Sequence, residues 1–227
     1  MGLAMVKALL ARRKDGNGPS SCMAAFWMLQ GLFRVGWATA EAADLALEVM
    51  VAEGQFSWMN MLAQGATCTT ESWPSGTTPG SGLPPGRTWS HPWCAGPNSA
   101  IIRLLLGVEP IALGWERFQL APQPSSLTQI NASVPFVRGA ASHQVSISIT
   151  QTPSTLTVTF TVPVGTAAHV CLPPPHAVQG STEEDATQMT LDGKSEESVA
   201  YGRMSCFAAD VASGSHTAVR GLVGLPA

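Results

Sequence analysis

The sequence predicts an α+β protein of two domains, a helical domain over residues 1–109 and an antiparallel β-sandwich over residues 110–227. Three observations support this division. Apolar residues recur with the helical period of about 3.6 in the first part of the chain. Beyond Phe118 the period changes to two, which is typical of strands. Turn residues then follow one another at intervals of about ten residues, a spacing that favours a sandwich of short antiparallel strands.

Five helices are predicted in the first domain, joined by short turns. The segment from residue 21 to 35 carries apolar residues around so much of its circumference that we expect burial on more than one side. Thr39 and Asn98 are predicted to cap the third and fifth helices, because short polar side chains accept from free backbone N–H groups. Antiparallel helices with short connections form α-hairpins. The predicted helices cover residues 2–13, 21–35, 39–53, 57–64 and 98–107.

The strongest strand prediction in the second domain is a hairpin. Residues 144–150 and 155–162 alternate polar and apolar side chains, and Pro153 and Ser154 supply a turn between them. Weaker strand candidates cover residues 130–134, 168–172, 189–191, 198–207 and 216–220. The charged stretches at residues 183–185 and 192–197 are predicted to be solvated turns.

Composition argues against several classes of function. Charged residues make up 12% of the chain and the net charge is −3, and no basic run indicates a nucleic-acid partner. The apolar stretch of residues 22–33 is too short to span a bilayer. Neither a metal nor a cofactor is predicted, because the cysteines lack ligand spacing. We expect free thiols and favour a cytoplasmic location, since a convincing signal peptide is also lacking. The five cysteines are Cys22, Cys68, Cys94, Cys171 and Cys206.

The segment of residues 58–97 concentrates the groups that could carry chemistry. It holds one carboxylate, Glu71, and one histidine, His91, among four tryptophans. Indole rings stack on the apolar face of a pyranose, while carboxylate and imidazole bond to its hydroxyls. These residues therefore indicate a sugar-binding cleft. An ordinary junction between a helix and a loop, with core tryptophans, is equally consistent with their spacing.

The order of residues within this segment carries a family resemblance. Gly65-Ala66-Thr67-Cys68-Thr69-Thr70-Glu71-Ser72-Trp73 resembles the GATT-x-W-E-x-W motif of bacterial-type α-L-rhamnosidases. The stretch SHPWCAGP at residues 90–97 resembles their S-H-x-W-x-A-G-P segment, and LLGVEP, GWERF and LAPQP follow in the expected order. The resemblance covers residues 23–220. Two positions depart from the pattern, because Thr70 replaces an aromatic residue and Ser72 replaces an arginine.

The resemblance implies a fold, an activity and a site. The fold would be the last portion of a six-hairpin (α/α)6 barrel followed by a C-terminal β-sandwich. The activity would be hydrolysis of terminal α-L-rhamnosides with inversion, in which Glu71 is the general base. Trp58, Trp73, His91 and Trp93 would bind the substrate, a rhamnose-containing carbohydrate or glycoside, with no cofactor.

The general acid is the part of this chemistry that the sequence does not supply. Glycoside hydrolysis takes two carboxyl groups on opposite sides of the bond, and the family draws its acid from upstream hairpins. The carboxylates of residues 1–56 precede the motif too closely to match it, so we expect a C-terminal fragment with little turnover. A non-catalytic carbohydrate-binding or structural remnant is the alternative. These carboxylates are Asp15, Glu41, Asp44, Glu48 and Glu53.

Two further expectations concern surfaces. Residues 74–88 form a loop rich in Pro, Gly and Ser that is either functional or a tolerated insertion. Five helices cannot close a six-hairpin barrel. The helices, especially residues 22–35, should therefore expose an apolar seam through which the protein associates.

Overall fold

The computed structural model describes residues 21–178 and 187–222, together with Ala4 and Ala8. The chain divides into two compact units, one of residues 1–35 and 41–101 and one of residues 36–40 and 102–227. The predicted first helix, apart from Ala4 and Ala8, and the acidic stretch 183–185 lie outside the described residues. The assignment of residues 1–109 to part of a barrel, with the domain boundary after residue 109, stays a prediction.

Helices dominate the first unit, as the 3.6-residue period predicts. Helix α4 continues into a five-residue π-helical stretch, Ile101–Leu105. A 3₁₀ turn, Pro92–Cys94, precedes α4. In the described part of the chain, the four α-helices are α1 (Cys22–Val35), α2 (Ala40–Val51), α3 (Trp58–Ala63) and α4 (Gly96–Ala100).

One face of α1 is buried and the other is open. Leu29 and Phe33 are fully buried, whereas Trp27 is 63% and Met23 43% exposed. Burial on more than one side, as expected from the apolar sequence, is therefore not what the structure contains. The reason is that α1 packs on one side against α4 and the Pro92–Cys94 turn.

Neither predicted helix cap is formed, whereas the structure contains a cap at α3. Ser57 caps α3, because its Oγ accepts from the Asn60 backbone N–H at 3.0 Å. The Thr39 hydroxyl, in contrast, makes no hydrogen bond within the described residues, so the predicted cap of α2 is not formed. Asn98 lies inside α4, which begins at Gly96. Pro97 explains the earlier start, because proline suits the first turn of a helix.

Two sheets make up most of the second unit. The five-stranded sheet has the order β1-β2-β6-β10-β9, and the six-stranded sheet has the order β3-β4-β5-β11-β7-β8. Apolar side chains from both sheets form a common core, so the sheets pack as a β-sandwich. The strands are β1 (Val108–Pro110), β2 (Arg117–Leu120), β3 (Gln129–Arg138), β4 (Ala141–Gln151), β5 (Thr155–Val162), β6 (Ala167–Leu172), β7 (Thr187–Leu191), β8 (Lys194–Ser195), β9 (Ser198–Tyr201), β10 (Met204–Phe207) and β11 (Gly214–Leu222).

The predicted hairpin is confirmed by β4 and β5. They pair antiparallel with Ile149 opposite Val158, and both of these side chains are fully buried. Leu156 and Phe160 lie on the same face of β5, as the period of two requires, and are also buried. This hairpin contributes the centre of the sandwich core.

The topology differs from the sequence prediction at three places. The strands β2 and β6 pair in parallel, so the sandwich is not wholly antiparallel. The predicted turn of residues 192–197 contains β8, which pairs with β7. The predicted strand of residues 198–207 is two strands, because Gly202 adopts a φ of +60° and turns the chain between β9 and β10.

The cysteine prediction is wrong. Cys22 is bonded to Cys94 in the helical unit, and Cys171 is bonded to Cys206 across β6 and β10. Only Cys68 is a free thiol, and it is exposed. The inference of a reducing compartment rested on five free thiols and loses that support.

Over residues 21–178 and 187–222, none of the helices combines the length and the apolar character needed to cross a bilayer.

Candidate functional site

Two extended segments bring Glu71 and His91 into one region of the helical unit. The Glu71 backbone N–H donates to the Thr88 carbonyl at 3.0 Å, and the His91 N–H donates to the Thr69 carbonyl at 2.8 Å. The Thr69 hydroxyl also donates to the His91 carbonyl at 2.8 Å. Residues 69–71 and 88–91 therefore run antiparallel beside each other.

The Glu71 carboxylate receives a hydrogen bond on each of its oxygens. Arg87 Nη1 donates to Oε1 at 2.8 Å, and the Thr88 backbone N–H donates to Oε2 at 3.0 Å. The Arg87 hydrogen bond, and after it the Thr88 N–H, lower the pKa of Glu71 below its usual value. The positive charge of Arg87, and that of His91 when its ring is protonated, act in the same direction, and partial burial opposes them. The group is therefore ionised at neutral pH, as a base must be.

His91 begins the 3₁₀ turn that carries Trp93. Its Nδ1 accepts from the Trp93 backbone N–H at 3.2 Å, and the two rings meet edge to face at a centroid distance of 4.8 Å. A neutral imidazole that accepts on Nδ1 carries its proton on Nε2. His91 can therefore donate a hydrogen bond from Nε2, and the Trp93 ring beside it is 50% exposed.

Trp58 and Trp73 lie in the interior. Their rings meet edge to face at 5.2 Å, and they are only 9% and 3% exposed. Trp58 Nε1 donates to the Cys94 carbonyl at 2.6 Å, which fixes the turn that carries Trp93. Their predicted role in substrate binding stays a prediction. In this structure they pack beneath the turn that carries Trp93.

A small apolar cleft adjoins the His91–Trp93 pair. Its volume is about 220 Å³, and the exposed ring of Trp27 faces it together with that of Trp93. The Cys22–Cys94 disulfide joins α1 to the turn at this place. Trp27 has the residue type and the exposure of a sugar-stacking group, but its helical surroundings in the sequence indicated a core position. The cleft is lined by Met23, Phe26, Trp27, Pro92, Trp93, Ala95 and Gly96.

The loop of residues 74–88 is fixed to the helical unit by amide side chains. Asn60 Nδ2 donates to the Gly76 carbonyl, and Gln64 Nε2 donates to the Thr78 carbonyl, each at 2.9 Å. Gln55 Nε2 donates to the Ser75 carbonyl at 2.9 Å. Sequence reasoning missed these anchors, although the i, i+4 spacing of Asn60 and Gln64 places both on one face of α3.

Removal of the Cys22–Cys94 disulfide should destabilise the helical unit and loosen the turn beside His91. The bond closes a loop of 72 residues, and loss of such a bond typically costs about 2–4 kcal/mol. We expect the double variant Cys22→Ala/Cys94→Ala to unfold at lower urea concentration and to shift the Trp93 indole N–H signal. The variant Cys68→Ala, which removes the exposed free thiol, is the control and should change neither quantity. Equal unfolding midpoints for the double variant and the native chain would contradict the expectation.

The comparisons with known proteins agree with this fold. Residues 107–187 match the family model of the bacterial alpha-L-rhamnosidase C-terminal domain. Among solved structures, an alpha-L-rhamnosidase from Dictyoglumus thermophilum aligns at a TM-score of 0.66 with 18% identity, over 88% of this chain and 21% of that one. Streptomyces avermitilis alpha-L-rhamnosidase, solved with L-rhamnose, gives 0.57 with 22% identity, over 78% and 16%. The Aspergillus terreus enzyme gives 0.54 with 18% identity, over 93% and 23%.

The chain spans about a fifth of the length of these solved enzymes, and at such identities the likeness concerns the fold. No curated protein matches the chain. Over residues 107–187 the chain is similar to the C-terminal domain of bacterial alpha-L-rhamnosidases.

Proposed function

We propose that this chain carries the general base of an inverting α-L-rhamnosidase-type glycoside hydrolase, and that the base is Glu71. The observation that supports the proposal is the Glu71 carboxylate itself. Its side chain is 16% exposed, and Arg87 and Thr88 each donate one hydrogen bond to it. It is ionised at neutral pH and still has lone pairs with which to accept a proton from water.

The neighbouring residues fit the recognition of a sugar. In this proposal the His91 Nε2–H donates to a sugar hydroxyl, while the half-exposed ring of Trp93 contacts an apolar face of the pyranose. Trp58 and Trp73 hold the Trp93 turn in place through the Trp58–Cys94 hydrogen bond and their mutual packing. The substrate would be a rhamnose-containing glycoside, by analogy with the Streptomyces avermitilis enzyme that was solved with L-rhamnose.

Inverting hydrolysis takes a general acid as well as the proposed base Glu71. Protonation of the leaving oxygen takes a second carboxyl group across the glycosidic bond, about 6.5–9.5 Å away in inverting enzymes. We propose that the helical unit is the last portion of a six-hairpin barrel whose upstream hairpins supply this acid. The 227-residue chain by itself should then bind sugar without useful turnover, because loss of the acid costs about 10²–10⁴-fold in rate.

A non-catalytic role is the second candidate, and the cleft between Trp27 and Trp93 favours it. Two exposed indoles beside a histidine suit sugar binding that needs no carboxylate. The same surface includes the apolar side chains of α1, through which the chain could associate with another helical surface. Binding of sugar that is insensitive to Glu71 would fit this candidate.

L-rhamnose and an aryl α-L-rhamnoside test the proposal on the isolated chain. We expect L-rhamnose to shift the indole N–H signal of Trp93 and the ring signals of His91 in NMR spectra. The variant His91→Ala should weaken binding, whereas His143→Ala, in β4 of the other unit, is the control. The rhamnoside should not be hydrolysed at a useful rate. A chain that ignores L-rhamnose would contradict the site, and rapid hydrolysis would contradict the need for an upstream acid.

A further inference from the structure

We infer that Arg87 is a positioning residue for the Glu71 carboxylate, and that the loop of residues 74–88 is thereby part of the site. The inference rests on the proposed role of Glu71 as a general base. Arg87 is the one charged residue in a loop that is otherwise Pro, Gly, Ser, Thr and Leu. Its contact with Glu71 gives this loop a function that its composition did not reveal.

Three hydrogen bonds join Glu71 to two consecutive residues of the loop. Arg87 Nη1 and the Thr88 N–H each bond one carboxylate oxygen, at 2.8 and 3.0 Å, and the Glu71 N–H donates to the Thr88 carbonyl at 3.0 Å. The one backbone bond fixes the position of Glu71 relative to Thr88, and the two bonds to its carboxylate fix the orientation of that group. A base whose two oxygens are both held has a fixed direction toward the water it must activate.

The loop is held at its other end as well. The carbonyls of Ser75, Gly76 and Thr78 accept from the side-chain amides of Gln55, Asn60 and Gln64. Asn60 is itself fixed, because it is 5% exposed and bonded to the Gln55 carbonyl at 3.0 Å. The loop that carries Arg87 is therefore held at both ends. Because its backbone is fixed, the Arg87 side chain loses less conformational entropy when its guanidinium pairs with Glu71.

Removal of Arg87 should raise the pKa of Glu71. Two charged groups act on Glu71, the guanidinium of Arg87 and the imidazole of His91 when it is protonated, and both favour the carboxylate. Because Arg87 contributes most, its removal should move the protonation of Glu71 to higher pH. The Thr88 N–H would still favour ionisation, so the midpoint should rise without reaching that of a buried, unpaired acid.

A carboxyl ¹³C NMR titration of the 227-residue chain tests the inference. The Glu71 signal is assigned as the one that disappears in Glu71→Gln. We expect Arg87→Gln to move its titration midpoint to higher pH, and Arg87→Lys, which keeps the charge, to move it less. Arg103→Gln is the matched control, because Arg103 pairs with Glu109 instead. It should leave the Glu71 midpoint unchanged.

An unchanged Glu71 midpoint in Arg87→Gln would overturn the inference. If that variant does not fold, the native chain answers the same question through salt. Arg87 is 49% exposed, so about 1 M salt, with its screening length of about 3 Å, should raise the Glu71 midpoint. A salt-independent midpoint would count against Arg87. Neither titration of Glu71 requires turnover or a bound sugar, so the two ideas can fail separately. If L-rhamnose does not bind but Arg87→Gln still raises the Glu71 midpoint, the proposed function is refuted and the role of Arg87 stands.

Discussion

Replacement of Glu71 by glutamine is expected to lower the kcat of a barrel-completed protein by about 10²–10⁴-fold, the usual contribution of a general base. The amide keeps the size of the side chain, and its oxygen can still accept from Arg87. It cannot take a proton from water. The attacking water would therefore enter the transition state without help, although the sugar would still be held by His91 and Trp93.

The measurement is the hydrolysis of an aryl α-L-rhamnoside, with NMR detection of the anomer that is released first. An inverting reaction releases the anomer opposite to that of the substrate. The control is Glu109→Gln in β1, which removes another carboxylate paired with an arginine. Both variants should unfold near the native midpoint. A completed protein indifferent to Glu71→Gln would place the base at another residue.

Replacement of Gly107 by alanine should be among the most destabilising single changes in the sandwich. Gly107 has a φ of +71°, and a Cβ there would overlap the backbone of Ala121. The two backbones are in contact because the Ala121 N–H donates to the Gly107 carbonyl at 3.0 Å. Relief of the overlap requires β1 to separate from the end of β2. We expect a loss of more than about 4 kcal/mol, the range reached by changes that disrupt a core.

Urea unfolding, followed by tryptophan fluorescence, measures this loss, and Gly139→Ala is the control. Gly139 has a φ of +61°, but a Cβ there would meet no atom within 4 Å. The control variant carries the backbone strain alone, about 1–2 kcal/mol. If the two variants lose the same amount, the positive φ explains both effects and the close approach of Ala121 adds nothing.

Local patterns in the sequence were sufficient to predict several elements. The strand pair β4–β5 follows from an alternation that is unbroken for eight residues in β5 and from a proline turn. Helix α3 lies within the predicted helical segment of residues 57–64. In each case the information lies within about twenty residues, where the backbone period and the turn chemistry act.

Contacts between distant segments could not be predicted in this way. Cys22 and Cys94 are 72 residues apart, and no spacing rule connects two cysteines on a helix and in a 3₁₀ turn. Arg87 was missed because a Pro- and Gly-rich loop has no period from which to infer the direction of a side chain. The exposure of Trp27 depends on which elements pack against α1. The parallel pair of β2 and β6 depends on a crossing that spans three other strands.

One contact in the sandwich unit has a consequence for synthesis of the protein on the ribosome. The Arg203 backbone N–H donates to the Trp37 carbonyl at 2.9 Å, and its Nε donates to the Gly36 carbonyl 167 residues away along the chain. At about 5–20 residues per second, the first of these segments waits roughly 8–33 seconds for its partner to be made. The sandwich can close on residues 36–40 only late in translation. A nascent chain released before residue 203 would leave these carbonyls without the strand turn that binds them, and quality control would then meet an incomplete second unit.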